Sequence, residues 1–486
     1  MVLLQISVDK MKNIISILTI VSVLTSCAPM PSGADISGLT KHFDFYPDYR
    51  GVTVPCNIAP LNFMILNDSV ESVCLTINGN QKQLRQSAWG NKIIIDNEQW
   101  HQLLAQTIDA NLTFCVAVKY NTQWLADTFE IFVSSDSIDP YITYRLIEPG
   151  YEVWNEIFIE ERCLENFDTR FLANNNRLNN QCMNCHIHGQ NGQTSMFYIR
   201  GNGGASFLYH NNKLRKTQLR NAQMRGGAVY GDISQSGKYG VFSTNTIIPA
   251  LHSTNNNRLE VYDTESDLCI ANFDTDQMIL SPLVADTSTL ETFPCFSADE
   301  KYVYFCSSPL PTKVKTSNVR ELHYSILRIP FDGKQWGSVI DTIWTEKNSS
   351  ASLLKASPNG KFLAFTRSAY GTFPIWHKEA DLWIVNTNGT NAHSLTEANS
   401  NRSDTYLSWS GNSRWLAFAS KRFDGQYGRV CITHIDNFGN ATKAFIIPQR
   451  DPSHDLINLK SYNIPDLSPL PAAYSHTDVE KLFWEN

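Results

Sequence analysis

The C-terminal half of the chain repeats one pattern of polar and apolar positions. Each copy begins with Ser, has Lys or Arg four residues later, an aromatic residue five residues later and Phe eight residues later. The copies begin at Ser234, Ser297, Ser357 and Ser410, about 50 to 65 residues apart. A polar turn that leads into an apolar run is typical of a buried strand, and this period suits one blade of a β-propeller.

Further strands complete the repeating unit. An apolar run follows each copy, and turns such as Asn388–Gly389 then mark hairpins. Residues 196–219 provide a fifth unit, and we expect the stretch that begins at Tyr141 to join the C-terminal segment in a sixth. The pattern therefore predicts a β-propeller of about six blades over residues 192–475, followed by a tail at 476–486.

The N-terminal region has a different pattern. Between residues 43 and 136, short apolar runs alternate with turn signals such as the one at 78–80. This alternation is typical of an immunoglobulin-like β-sandwich. Together the two regions predict an all-β protein, and we interpret the sandwich as a spacer without a ligand of its own.

The first residues predict export rather than a folded element. Two lysines precede an apolar run at 14–24, which is too short to span a bilayer as a stable helix. The run ends in small residues before Cys27, which resembles a bacterial lipobox in which the Cys is lipidated. We expect a lipoprotein signal peptide at 1–27, a tether at 28–42 and the outer membrane as location. An ordinary secretory signal is the alternative.

One motif, in an expected linker at 137–191, carries specific chemistry. Cys182, Cys185 and His186 form C-x-x-C-H, the signature of c-type haem attachment, in which two thiols join one porphyrin and the His ligates iron. With 11 Cys and 12 His in 486 residues, composition alone gives about 0.006 such strings. Two alternatives stay open: a Cys182–Cys185 disulfide, and a zinc site with His188 as third ligand.

The haem iron needs a sixth ligand for electron transfer, or an open position for ligand chemistry. Met196, ten residues after His186, and His252, in a long loop of the first clear blade, are the candidates. Export supports the haem interpretation, because c-type haem is attached outside the cytoplasm. The expected cofactor is therefore one covalent haem c.

Several stretches resemble known propellers. SPNGKFLAFTR, which begins at Ser357, is similar to the repeats of TolB-like propellers. Six stretches resemble a family of exported bacterial propeller lipoproteins with a central CxxCH. These stretches lie between about Tyr141 and Leu467 and read TYRLIEPGYE, CMNCH, RLEVYDTESDL, YGTFPIWHKEADLWI, SKRFDGQYGR and SYNIPDL. This resemblance implies periplasmic placement and a haem c site, without a known substrate. Relatives carry His where this chain has Tyr198 and Leu407, so any role of those His residues is not carried over.

Composition and motifs narrow the possible functions. The net charge is −7 without a basic cluster, which argues against nucleic-acid binding. The sequence has no G-x-S-x-G, P-loop or HExxH motif. We expect a lipid-anchored, periplasm-facing, c-type cytochrome-like protein that transfers electrons or senses redox state. Its propeller would dock an unknown redox partner or envelope protein.

Two other functions remain open. The alternative to the cytochrome is a TolB-like envelope scaffold that binds protein or glycan and whose CxxC is structural. A haem enzyme such as a peroxidase, with an open distal site, is a third interpretation.

Overall fold

The computed structural model describes residues 28–31, 41–121, 123–149, 155–251, 259–311 and 316–485. Cys27 and His252 lie outside these residues. Within them the chain is almost entirely β-structure, which confirms the expected all-β class. In this described part, no helix combines the length and apolar character needed to cross a membrane.

Two sheets form the N-terminal β-sandwich. Its strands are β1 (Phe45–Tyr46), β2 (Thr53–Pro55), β3 (Phe63–Ile65), β4 (Ser72–Asn78), β5 (Gln83–Trp89), β6 (Lys92–Ile93), β7 (Ala110–Tyr120) and β8 (Gln123–Ser134). The five-stranded sheet has the order β2-β8-β7-β4-β5, and the three-stranded sheet has the order β1-β3-β6. Helix α1 (Asn97–Ala105) begins where the Asp96 side chain accepts the Gln99 N–H, and its Trp100 is buried in the core.

Six four-stranded sheets form the rest of the fold. Their strands in the first three blades are β9 (Tyr141–Ile147), β10 (Phe158–Cys163), β11 (Thr169–Asn174), β12 (Met183–His188), β13 (Ser195–Ile199), β14 (Ser206–His210), β15 (Lys213–Thr217), β16 (Val229–Ile233), β17 (Tyr239–Leu251), β18 (Leu259–Asn272) and β19 (Gln277–Ile279). The next three blades contain β20 (Thr289–Phe296), β21 (Tyr302–Pro309), β22 (Ser325–Pro330), β23 (Asp341–Trp344), β24 (Ser350–Ala356), β25 (Phe362–Ser368), β26 (Asp381–Asn386), β27 (His393–Ser394), β28 (Asp404–Trp409), β29 (Trp415–Ser420), β30 (Arg429–His434) and β31 (Phe445–Ile446).

The C-terminal segment closes the ring. After the short helix α2 (His454–Ile457), strand β32 (Ser461–Ser468) pairs with β9, so the first blade has the order β11-β10-β9-β32. The innermost strands β32, β12, β16, β20, β24 and β28 each contact the next one, and β28 contacts β32 again. This arrangement confirms the expected propeller of six blades, with the Tyr141 stretch and the C-terminal segment in one sheet. Closing the ring protects the inner strand edges from outside pairing.

A local hydrogen bond explains the repeated Ser. In the third copy, the backbone N–H of Phe362 donates to Ser357 Oγ at 3.0 Å. The other three copies have the same bond between the aromatic residue and its Ser, at 3.2, 3.0 and 3.1 Å. The Ser therefore closes the turn between the innermost and second strands, and the Phe eight residues after it is buried in all four copies.

Three segments differ from the expected domain boundaries. Strands β9 to β12 occupy the residues expected to form a linker, because β9 pairs with β32 and β10, and β10 pairs with β11. Helix α3 (His476–Trp484) replaces the expected tail, and its Val479 and Phe483 pack in the core shared by the first two blades. In the expected tether, Ala28 O accepts a hydrogen bond from Ser87 Oγ in β5 at 2.7 Å.

The sandwich is docked on the propeller. Its apolar core is continuous with buried residues of the last blade, and the rings of Tyr49 and Phe445 lie 6.1 Å apart. At the chain connection, Trp415 Nε1 donates to the backbone oxygen of Asp136 at 3.0 Å. The two parts therefore share one apolar interface rather than a flexible connection.

Candidate functional site

The six innermost strands share one irregularity. Each contains a shift in its pairing register, and each has a non-glycine residue in the left-handed backbone region at that shift. We call these residues the channel ring: Cys185, Tyr230, Phe293, Leu353, Tyr406 and Ile464. A left-handed conformation costs a residue with a Cβ about 1–2 kcal/mol, and a bulge redirects the side chain. The fold therefore places the same strained bulge in all six blades.

The channel ring lines a cavity on the propeller axis. The cavity has a volume of about 610 Å³, including its open mouth. His186, Lys355, Leu407 and Asp466 line it together with the ring. On one side, Tyr230 and Phe293 pack against Phe373, with ring centroids 5.2 to 5.5 Å apart. The cavity is thus mainly apolar, with a few charged or polar groups on its wall.

His186 lies on this wall and is 3% exposed. Both of its ring nitrogens are buried and neither makes a hydrogen bond of good geometry, although the Ile464 backbone lies close enough to raise the pKa slightly. Burial lowers the pKa of His186 to about 4, against a smaller opposing effect of the Asp466 carboxylate. The imidazole is therefore neutral at pH 7, which is the form that ligates a metal.

The two cysteines of the motif lie in different surroundings. Cys185 lines the channel, whereas Cys182 belongs to the apolar cluster between the first and second blades. The Cys182 sulfur accepts a hydrogen bond from Asn184 Nδ2 at 3.1 Å. Burial raises the pKa of both thiols. Every cysteine in the described residues is a free thiol, so the structure contains no Cys182–Cys185 disulfide there.

The other end of the channel is charged. Lys355 Nζ lies 2.8 Å from Asp232 Oδ1, and Lys355 and Asp466 also line a second cavity of about 460 Å³. Burial lowers the pKa of Lys355, but the Asp232 and Asp466 carboxylates outweigh this effect and hold the pKa above its ordinary value. Lys355 and Asp466 therefore stand where the apolar and polar halves of the channel meet.

The structure separates the other candidate residues from His186. Met196 is buried in the apolar cluster between the second and third blades, opposite Ile187, and is not among the channel-lining residues. His188 is 6% exposed, and its backbone N–H donates to Asp466. Cys27 and His252 fall in parts of the chain that the structure does not describe. Across the described ranges, no three His, Cys, Asp or Glu side chains are grouped so that they could hold a metal ion.

Two further positions bear on the resemblance. Leu407, at which the resemblance implied a His in relatives, lines the same cavity as His186. Tyr198 lies opposite Asn184 on β13 and is half-buried. A His at position 407 would face the same cavity as His186, but this chain has the apolar Leu407 there.

Sequence reasoning missed the charged residues of the channel. Lys355 precedes the repeat that begins at Ser357, and Asp466 lies in SYNIPDL, a stretch singled out only for its resemblance. The only sequence signal that could have identified them was a charged residue at the end of an apolar strand. Its partners come from other blades, so local sequence gives no way to pair them.

The fold and the channel define the class: a six-bladed β-propeller with a docked β-sandwich. No family model and no curated protein matches the chain. Among solved structures, the chain is similar to TolB from Acinetobacter baumannii, with a TM-score of 0.44, 13% identity and coverage of 77% of this chain and 86% of that one.

Two further solved structures are similar. The oligogalacturonate lyase from Vibrio parahaemolyticus has a TM-score of 0.35, 11% identity and coverage of 61% of this chain and 71% of its own. The periplasmic gluconolactonase of Pseudomonas aeruginosa has a TM-score of 0.35 and 11% identity, and the match covers 64% of this chain and 97% of that one. Assignment of the propeller rests on the six sheets described above.

Proposed function

We propose that this protein is an exported, lipid-anchored β-propeller that carries one covalent c-type haem at Cys182, Cys185 and His186. The haem would serve electron transfer or redox sensing, and the propeller would dock the redox partner. The single observation that carries this proposal is the His186 imidazole, which is buried on the channel wall with neither nitrogen in a hydrogen bond of good geometry.

The physical argument starts from the cost of that imidazole. A buried polar group without a partner costs about 1–3 kcal/mol, and such groups call for a ligand, water or ion that completes them. A haem iron would take one of the two nitrogens and offset part of this cost. Cys185 lines the same cavity, so one thioether position lies beside the proposed ligand.

His186 and Cys185 both line the channel, whereas Cys182 does not. Its side chain belongs to the cluster between blades, so a second thioether requires Cys182 to turn from that cluster toward the channel. The bound haem would supply the one-electron couple. The residues of this chain would hold it, and the apolar channel ring would exclude water from its face.

A haem assay tests the proposal directly. The full chain is produced in a bacterium with an active c-type haem attachment system, and the membrane fraction is stained for covalent haem after denaturing electrophoresis. We expect a stained band at the mass of the mature protein, lost in Cys185→Ala and His186→Ala and weakened in Cys182→Ala. Partition into the membrane fraction tests the lipid anchor at Cys27.

The matched control is Cys163→Ala, because Cys163 is a half-buried free thiol of β10 outside the motif. This variant should stain like the unaltered chain. A colourless mature protein, with an intact mass that contains no added porphyrin, would overturn the haem proposal.

The second candidate function is an envelope binding scaffold without haem. The observation that favours it concerns two positions considered for a second iron ligand. Leu407 lines the channel but is apolar, and Met196 lies in another cluster. Under this candidate, Cys182 and Cys185 are structural and the channel accepts a ligand for protein or glycan recognition. A colourless, folded protein in the same assay would favour this function.

A further inference from the structure

Several large apolar side chains are exposed together at one edge of the sandwich and on the neighbouring segment around α2. Monomeric soluble proteins rarely expose large apolar patches, and such patches mark contacts with proteins or membranes. We call this surface the apolar rim. Its members, between 48% and 73% exposed, are Met30, Trp89, Ile94, Leu456, Ile457 and Leu459.

The first part of the apolar rim lies on β5 and on the N-terminal segment beside it. Side chains alternate between the two faces of a strand, so Arg85, Ser87 and Trp89 share one face of β5. Arg85 Nη2 donates to the Pro31 oxygen at 2.8 Å, and Ser87 Oγ donates to the Ala28 oxygen at 2.7 Å. The N-terminal segment therefore runs along this face, and its first described residue lies two strand positions from Trp89.

Hydrogen bonds connect this part of the apolar rim to the segment around α2. Gln86 Nε2 donates to the backbone oxygen of Ile94 at 2.7 Å, which places Ile94 beside β5. Lys92 Nζ lies 2.7 Å from Asp451 Oδ1 and donates to Ser453 Oγ at 2.8 Å. Ser453 directly precedes α2, which carries two of the exposed side chains. The sandwich edge and α2 therefore lie next to each other.

Helix α2 turns its charged side inward and its apolar side outward. Asp455 is 5% exposed, whereas Leu456 and Ile457 are 51% and 73% exposed. A surface helix in water has the reverse arrangement. The buried Arg429 holds this orientation, because its guanidinium donates to three backbone oxygens within residues 455–460, at 2.7 to 2.8 Å. The fold therefore fixes these apolar side chains at the surface.

The described part of the chain begins at this surface. Ala28 is 6% exposed and is bonded to Ser87, and Cys27, the proposed site of lipid attachment, is the residue before it. Consecutive Cα atoms are about 3.8 Å apart. An acyl group on Cys27 would therefore begin within one residue of the sandwich, and the bilayer that holds it would lie close to the residues around Ala28.

The composition of the apolar rim suits the boundary of a bilayer. Trp is enriched at membrane interfaces, because its ring has an apolar body and a polar N–H. Leu and Ile side chains gain free energy when they leave water for an apolar environment. Lys92, between the two parts of the rim, is paired with Asp451. Apolar contact rather than charge is therefore the expected source of binding.

We propose that the apolar rim lies against the lipid bilayer that holds the anchor. The sandwich edge and α2 then seat the protein directly on the membrane surface, in place of a flexible tether. This inference rests on the lipid anchor proposed at Cys27, and it is independent of the haem.

Binding of an unacylated chain to vesicles tests the proposal. The mature chain with Cys27→Ser is exported behind an ordinary secretory signal and is mixed with vesicles of phosphatidylethanolamine and phosphatidylglycerol, which are then sedimented. We expect half of the protein to sediment at about 1 mM lipid, which is about a tenth of the affinity of one myristoyl chain. Binding should persist in about 0.5 M sodium chloride, which screens charge but not apolar contact.

Variants of the apolar rim locate the contact. In this unacylated chain, Ile457→Ser combined with Leu459→Ser should weaken vesicle binding by about 10-fold or more. Trp89→Ser, on the sandwich side, should also weaken it. The matched control is Phe438→Ser, because Phe438 is 76% exposed but lies in the turn between β30 and β31. This variant should bind like the parent chain.

Three outcomes would overturn the proposal. These are the absence of sedimentation at about ten times the expected lipid concentration, loss of binding in high salt, and equal binding by the rim variants and the control. Self-association without vesicle binding would assign the apolar rim to a second copy of the chain and would also overturn it. The anchor is tested separately, by the intact mass of the native chain, so its failure is distinguishable from failure of the rim.

Discussion

Asp466 Oδ2 accepts a hydrogen bond from the backbone N–H of His188 at 2.7 Å. The other carboxylate oxygen, Oδ1, accepts from Ser408 Oγ at 2.9 Å. One side chain of the C-terminal strand β32 therefore links β12 and β28, the innermost strands of the two neighbouring blades. This link lies two residues from His186 and fixes the strand that carries the CxxCH motif.

Asp466→Ala should destabilise the ring. The variant leaves the buried N–H of His188 and the hydroxyl of Ser408 without this acceptor, and each unmet group costs about 1–3 kcal/mol. We expect the free energy of unfolding to fall by about 2–4 kcal/mol, measured by urea denaturation. Asp466→Asn keeps an acceptor oxygen, so its free energy of unfolding should fall by less. Asp44→Ala, at an exposed position, is the control, and equal stability of the two Ala variants would contradict the role of this link.

Asp263 should make the protein less stable as the pH rises. Burial raises the pKa of Asp263 to about 7, and its side chain is fully buried. A carboxyl whose folded pKa exceeds its unfolded value favours folding at low pH, and this contribution is lost as the pH rises through about 7. The penalty at pH 8 is at most on the order of 4 kcal/mol.

Asp263→Asn removes this titration. Its stability relative to the unaltered chain should therefore increase between about pH 4 and pH 8. Thermal unfolding over that pH range measures the difference, with Asp68→Asn, an exposed position, as control. A pH-independent difference would falsify the assignment.

Asp136 should have the opposite pH dependence at the junction of sandwich and propeller. Its Oδ2 lies 2.9 Å from Arg414 Nε and 2.8 Å from His434 Nε2. Burial raises the pKa of Asp136, but the hydrogen bonds from His434 and Arg414 outweigh it and leave the pKa below its ordinary value. A lowered pKa contributes stability above the unfolded pKa, and this stability is lost as the pH falls through the folded pKa.

Asp136→Ala should therefore lower the free energy of unfolding by about 1–3 kcal/mol at neutral pH. The difference should begin to shrink below about pH 4, where the carboxyl becomes protonated in the unfolded chain, and should disappear once the pH falls below the lowered pKa of the folded chain. Urea denaturation at several pH values measures this difference in the free energy of unfolding, and Asp68→Ala is the control. A loss that stays constant down to pH 2 would count against the ion pairs as its cause.

The blades follow closely from the sequence. Each repeated Ser accepts the N–H of an aromatic residue five positions later, so the interaction is local and leaves a visible pattern. The buried Phe three positions further on follows from the continuous apolar run of a strand that is buried on both faces. The shared first blade was also predicted, as a union of the extended Tyr141 stretch with the C-terminal segment.

The surroundings of the motif did not follow from the sequence. Spacing makes Cys182, Cys185 and His186 a CxxCH, but the left-handed conformation of Cys185 depends on the bulge that β12 shares with five other strands. That bulge sends Cys185 to the channel, while Cys182 stays between blades. Met196 is only ten residues from His186, yet pairing with Ile187 buries it in a different cluster.

The sequence by itself determined the repeat, the all-β class, the sandwich and the CxxCH motif, because each depends on contacts or spacings within a few residues. Only the tertiary structure decided that His186 lies on a channel wall and that Asp466, 278 positions after His188, holds its strand. It also decided that the apolar core of the sandwich continues into the last blade. These features arise where distant strands meet, and the short-range pattern of the chain does not specify which strands those are.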